Sequence, residues 1–168
     1  MSITNTVAAS AEIFDDVLKA IPFGFLGAAT FADIHRPLLS WLYPNDVERI
    51  MRELVEASRI VPYYIHGAAT RWYRPIAVGM GATYTSGSDR HACTVTAISS
   101  GYHTLSVRTD RATRTDANGM SESQDYTYSP DPDGALYVYR WSAAQGIYQR
   151  RGSRLILGVR RNYHDYSF

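Results

Sequence analysis

Asp89, Arg90, His91 and Cys93 fall within five residues of the stretch "GSDRHAC", the densest catalytic vocabulary in the chain. On a strand, Asp89, His91 and Cys93 would share one side and Arg90 would point away. A cysteine with a histidine base beside it is a nucleophile arrangement. The same spacing sets Cys93 in alternation with Val95 and Ala97, which reads more simply as a small core residue. Metal chemistry finds less support: His35, His66, His91, His103 and His164 are scattered, with no CxxC, HxH or HExxH spacing. Neither a phosphate-cradling glycine loop nor a GxSxG elbow occurs. The chain is therefore read as a non-enzyme, with no metal and no other cofactor expected.

The arginines suggest binding instead of turnover. Arg108, Arg111 and Arg114 recur every third residue in "RTDRATRTDANGMSESQDY", which has almost no apolar content. Read as an irregular exposed loop, this stretch can present two or three guanidinium forks to a phosphate, a nucleotide or an acidic peptide. The alternative is a solvated loop whose charges pair with Asp110 and Asp116, each surface pair contributing ~0–1 kcal/mol. Further on, Arg140, Arg150, Arg151, Arg154, Arg160 and Arg161 lie in a run, 140–161, that contains no carboxylate. They are interleaved with Tyr137, Tyr139, Trp141, Tyr148, Tyr163 and Tyr166. Rings for stacking beside guanidinium groups for the backbone make a single-stranded nucleic-acid platform. A tyrosine-rich protein interface uses the same residue types.

Whole-chain properties limit these options. A chain of 168 residues suits one domain or two small ones. Its formal net charge of +1 argues against both a polycation that coats nucleic acid and an acidic DNA mimic. Lys19 is the only lysine, a bias that a GC-rich genome alone would produce. With Cys93 the only cysteine, no intramolecular disulfide is possible and a reducing compartment fits. No secretion signal is evident and "IPFGFLGAATFA" is too short and broken to span a bilayer, so a cytoplasmic protein is expected, with no membrane contact.

The hydrophobic period changes near Pro75. Before it, Ser10 caps a first helix bearing Ile13, Phe14, Val17, Leu18 and Ile21. Thr30 caps a short second helix that Pro37 limits, and Asn45 caps a third with Val47, Ile50, Met51, Leu54 and Val55 on one stripe. Two short β-rich runs follow, around Ile60–Ile65 and Arg71–Arg74. Three helices and a hairpin give residues 1–75 the order of a winged helix. In that fold the third helix enters the major groove, but Glu48, Glu53 and Glu56 would face phosphates here. Arg71 and Trp72 on the wing are better placed to touch nucleic acid.

After Gly79 the signals are strand and turn. Runs at 82–86, 92–98, 102–109, 124–129, 136–141, 147–151 and 155–160 are separated by turn sequences such as "SGSD", "DANG" and "RGS". Asn118-Gly119 reads as a tight hairpin turn. The expected fold is α+β: an N-terminal winged-helix-like three-helix module, then a small antiparallel β-barrel of SH3-like type over residues 76–168.

Three segments, "SDRHACTV", "RATRTDANGMSESQDYTYSPDPDG" and "LGVRRNYHDYSF", resemble a group of small proteins encoded by tailed bacteriophages and prophages. The resemblance covers about residues 79–168. It implies a phage accessory protein or a minor virion component, and no particular activity. The resulting expectation is non-catalytic binding to nucleic acid or to an acidic host or phage protein. The rival is a protein-interaction module, such as a virion component or an inhibitor of a host defence system.

Overall fold

The computed structural model of the chain describes residues 11–38, 42–64 and 66–167. The chain divides into two compact units, Met1–Pro75 and Ile76–Phe168. The first contains helices α1 (Ala11–Ala20), α2 (Phe31–His35) and α3 (Pro44–Glu56). Strands β1 (Ala29–Thr30), β2 (Val61–Tyr63) and β3 (Arg71–Tyr73) make an antiparallel sheet ordered β1-β3-β2. Val17, Ile21, Ile34, Leu38, Val47, Ile50, Met51, Leu54 and Ile60 form its buried core. Val17, Ile34, Val47, Ile50, Met51 and Leu54 are periodic positions of the helices, brought together because each helix can remove only one stripe from water, and Ile21, Leu38 and Ile60 join them from just beyond the helix ends.

Local signals set the helix ends, with one correction. Thr30 caps α2 through a reciprocal box with Asp33, whose N–H donates to Thr30 Oγ1 while its carboxylate accepts from the Thr30 N–H at 3.0 Å. Asn45 does not cap α3. The helix starts two residues earlier than that cap implies, at Pro44 after Tyr43, with no side-chain cap. Proline fits a first helical position because its missing N–H would have had no partner there. The expected cap at Ser10 lies outside the described residues.

The second unit holds a closed six-stranded antiparallel barrel. Its strands are β4 (Gly81–Ser86), β5 (Asp89–Ile98), β6 (Thr104–Thr109), β9 (Leu136–Ser142), β10 (Ile147–Arg150) and β11 (Ser153–Leu157), ordered β10-β11-β4-β5-β6-β9. Closure leaves no free sheet edge. Ala82, Cys93, Val95, Leu105, Val107, Tyr139, Tyr148 and Leu155 are buried. The barrel core thus takes up two of the tyrosines, with Trp141 edge-on to Tyr148 at 5.1 Å. Mixed α and β composition and a small antiparallel barrel are as expected from the sequence.

Two details of the strands differ from expectation. Residues 158–160 are not part of the last strand, which ends at Leu157. The arginine-rich stretch is not irregular throughout: β7 (Arg111–Arg114) pairs with β8 (Tyr126–Ser129) in a separate two-stranded sheet. This arm is inserted between β6 and β9. Asn118-Gly119 therefore lies inside a long loop, 115–125, and only Gly119 takes positive φ (62°).

Candidate anion-binding face

The arm explains where the first arginine set goes. Strand alternation separates Arg111, exposed, from Arg114, half-buried, so the three do not converge. Arg108 donates to the carbonyls of Pro132 and Gly134. Arg111 reaches Asp131 only at 3.6 Å. Arg114 Nε donates to both oxygens of Asp116 at 2.9 and 3.0 Å, and its Nη1 reaches Tyr166 Oη at 3.2 Å. Asp116 also accepts from the N–H groups of Asn118 and Asp125, at 2.9 and 2.7 Å. The Arg114 guanidinium and these two amides hold its carboxyl well below the usual aspartate range.

The polar residues after Gly119 hold the chain's own C-terminal segment. Gln124 donates to the His164 carbonyl at 2.7 Å and accepts from the His164 N–H at 3.0 Å, copying a strand pairing with one side chain. Tyr163 Oη donates to Glu122 at 2.6 Å, which pushes the phenol up to about 12. Arg160, from the basic run, is tied inward as well. Its Nε donates to Asp110 at 2.7 Å and its Nη2 to Thr94 Oγ1 at 2.8 Å, while Thr94 donates to Asp110 at 2.7 Å. The Asp110 side chain is 2% exposed. Gly81 makes room for this guanidinium, since an added Cβ would stand 2.8 Å from Arg160 Cζ.

The catalytic vocabulary is drawn into the same fabric. Asp89 accepts from the Asp165 N–H at 2.8 Å and lies 3.1 Å from His164 Nδ1. The backbone bond and the imidazole hold its carboxyl below the ordinary value. His91 stacks on Tyr84 with 4.9 Å between ring centroids, and burial lowers its pKa. Cys93 is fully buried, and desolvation pushes its thiol up to about 12. A thiol that is neither exposed nor readily ionised is a poor nucleophile. The core reading of Cys93 is the one its surroundings support. Among the described residues, no three His, Cys, Asp or Glu side chains gather as a metal site.

The second arginine set is arranged differently. Arg140 on β9 pairs across to Gln149 on β10, and Gln149 pairs to Arg154 on β11. Directly paired residues share a face, so a guanidinium–amide–guanidinium row crosses the outside of three strands. Arg140 and Arg154 are both exposed. Neither makes an ion pair among the described residues. At ~4.8 Å per strand they stand about 10 Å apart at the backbone. Gln149 was missed in the sequence, where its register with Arg140 depends on the hairpin turn after Ser142.

Arg151 and Gly152 alone connect β10 to β11, with φ of 47° and 83°. Positive φ at both central residues is the twist-matched hairpin turn that favours Asn or Gly at the first position. An arginine there costs about 1 kcal/mol or more. Arg150 stacks over Tyr137, 4.7 Å from the ring centroid. Arg140, Arg150 and Arg151 line one open groove of about 620 Å³ with Trp141, Ser142 and Gln149, and no carboxylate lines it. Of the remaining expected residues, Arg161 is exposed while its N–H bonds Thr83. Arg71 donates to the Ala28 carbonyl at 3.1 Å, and Trp72 packs against the helical core. Among the described residues, no helix is long and apolar enough to cross a membrane. No protein-family model, curated protein or solved structure matches the chain.

Proposed function

We propose that the protein is a non-catalytic accessory protein of a tailed phage, and that its barrel binds nucleic acid through the outer face of β9, β10 and β11. The observation that carries this reading is the carboxylate-free groove lined by Arg140, Arg150 and Arg151 beside Trp141. Guanidinium groups without competing carboxylates keep their charge available for phosphate. The strained placement of Arg151 is a second support, because a cheaper turn residue would serve the hairpin alone. The phage context rests on the resemblance of the arm and closing segment.

The finer fold assignments belong to the same proposal. The order α1–β1–α2–α3–β2–β3, with β1 beside β3, supports a winged helix for the first unit. The meander order of the barrel supports an SH3-like relationship, to which the arm is an addition. On that reading α3 is a poor reader of DNA, since Glu48 and Glu56 are exposed on it.

A protein partner is the second reading, and one observation favours it. Leu136 and Val138 are 55% and 46% exposed and share the outer face of β9 with Arg140. Apolar groups beside arginine suit a virion component or an inhibitor of host defence. Binding of labelled single- and double-stranded DNA and RNA across a salt titration separates the readings. Nucleic acid gives tight binding at low salt and a log–log slope of roughly −0.7 to −0.9 per neutralised phosphate. Absence of binding at every salt concentration removes the first reading and leaves the second.

A further inference from the structure

We propose that the chain self-associates through its N-terminal unit, a second copy docking on the groove between α3 and the sheet. Phe31, Met51, Val55, Pro62, Tyr64 and Trp72 make this groove, of about 480 Å³, apolar and aromatic. Tyr64 forms one wall while remaining 73% exposed, and its neighbour Tyr63 is 38% exposed. Apolar aromatic surface of this kind is more often covered than left in water.

The charges on the groove specify the occupant. Glu48 and Arg52 line it, one helical turn apart on α3. The neighbouring pair on the helix, Arg49 and Glu53, closes on itself at 2.8 Å. Glu48 and Arg52 have no such partner among the described residues. One free carboxylate and one free guanidinium, about 6 Å apart along the axis, carry no net charge between them. Their complement is the same pair in reverse. A twofold axis crossing α3 midway between them sets Glu48 against Arg52 of a second copy, and Arg52 against its Glu48. Contacts related by such an axis are reciprocal, as a closed dimer requires.

The test is the mass of the full-length protein in solution, by light scattering or sedimentation over a wide concentration range. Wild type should move from monomer to dimer with rising concentration. Glu48→Arg and Arg52→Glu each set like charges in contact, and each should weaken dimerisation on the order of tenfold or more. An equimolar mixture of the two variants restores both opposite-charge contacts and should recover the dimer as a heterodimer. Tyr64→Ser, at a mostly exposed position, should weaken it with the circular dichroism unchanged. Wild type that stays monomeric to millimolar concentration overturns the proposal. So does a dimer indifferent to both charge reversals, or a mixture that fails to recover it. None of these outcomes bears on the barrel face, whose salt titration reads a different unit.

Discussion

The arm and the β9–β11 face are both rich in arginine, yet they use it in opposite ways. In the arm and the closing segment, Arg114 and Arg160 meet Asp116 and Asp110, while Arg108 is tied to carbonyls. What these guanidinium groups bind is the chain itself. On the barrel face, Arg140 and Arg151 are exposed, and no carboxylate lines the groove that they help to form. Arginine content therefore does not identify a binding surface. The presence or absence of a nearby acceptor does: Arg114 and Arg160 become structural because aspartates lie within reach, and Arg108 because carbonyls do.

The largest expected effect tests the structural half of this contrast. Asp110→Ala leaves the Arg160 guanidinium and Thr94 without their shared acceptor at a site where Asp110 is nearly sealed from water. Breaking a buried pair costs up to 3–5 kcal/mol, and the one-third exposure of Arg160 reduces this to about 2–3 kcal/mol. Urea unfolding should register the loss, with nucleic-acid binding by the still-folded fraction unchanged. A loss under ~0.5 kcal/mol would mean that Arg160 is as free as Arg154 and that the contrast is misplaced.

Much of the fold was legible in the sequence because its signals are local. The stripe Val47, Ile50, Met51, Leu54 gives α3, Thr30 gives the cap of α2, and "RGS" gives the β10–β11 turn. β7 was not legible, since "RATR" has no apolar alternation. It is a strand because Tyr128 and Tyr126 stand opposite Ala112 and Arg114 on β8. The tight turn at Asn118-Gly119 was misread for a related reason. Asp116 organises that loop by accepting an amide nine residues away, so the local dipeptide does not decide its shape. The site was half legible. Composition revealed the basic run, but only the three-dimensional path removes Arg160 from it and adds Gln149. Contacts such as Gln124 to His164 join residues forty positions apart, and no local pattern carries them.

The binding half of the contrast predicts two further outcomes. Arg140→Ala, Arg151→Ala and Arg154→Ala combined should lower nucleic-acid affinity at low salt on the order of a hundredfold and reduce the salt slope by roughly two to three. The matched triple, Arg108, Arg111 and Arg114 to Ala, should leave the slope of its folded fraction unchanged. Equal slopes for the two triples would erase the distinction. Arg151→Asn sharpens it further, because stability and binding should then move apart. Asparagine tolerates the left-handed turn, so the variant should gain about 0.5–1 kcal/mol in urea unfolding while binding more weakly. A variant that loses both would show that Arg151 supports the hairpin.

The smallest effect concerns His91, beside the ring cluster that leads to Arg150. His91 stacks on Tyr84, Tyr84 meets Tyr137 edge-on at 5.2 Å, and Arg150 covers Tyr137. Burial lowers the His91 pKa, with the Asp89 charge opposing that effect and His164 adding to it. A histidine whose folded pKa lies below its unfolded value of about 6.5 contributes stability that is complete above that pH. The contribution falls away as the pH drops from about 6.5 through the folded value, because the unfolded chain then binds the extra proton. One such group changes stability by no more than about 1.4 kcal/mol per pH unit. Unfolding free energies of wild type and His91→Gln, compared between pH 7.5 and 5, isolate it from the other histidines. Wild type should lose more stability than the variant over this window. A parallel pair of curves would mean that water reaches the imidazole, and that this end of the barrel is as open as the arginine face beside it.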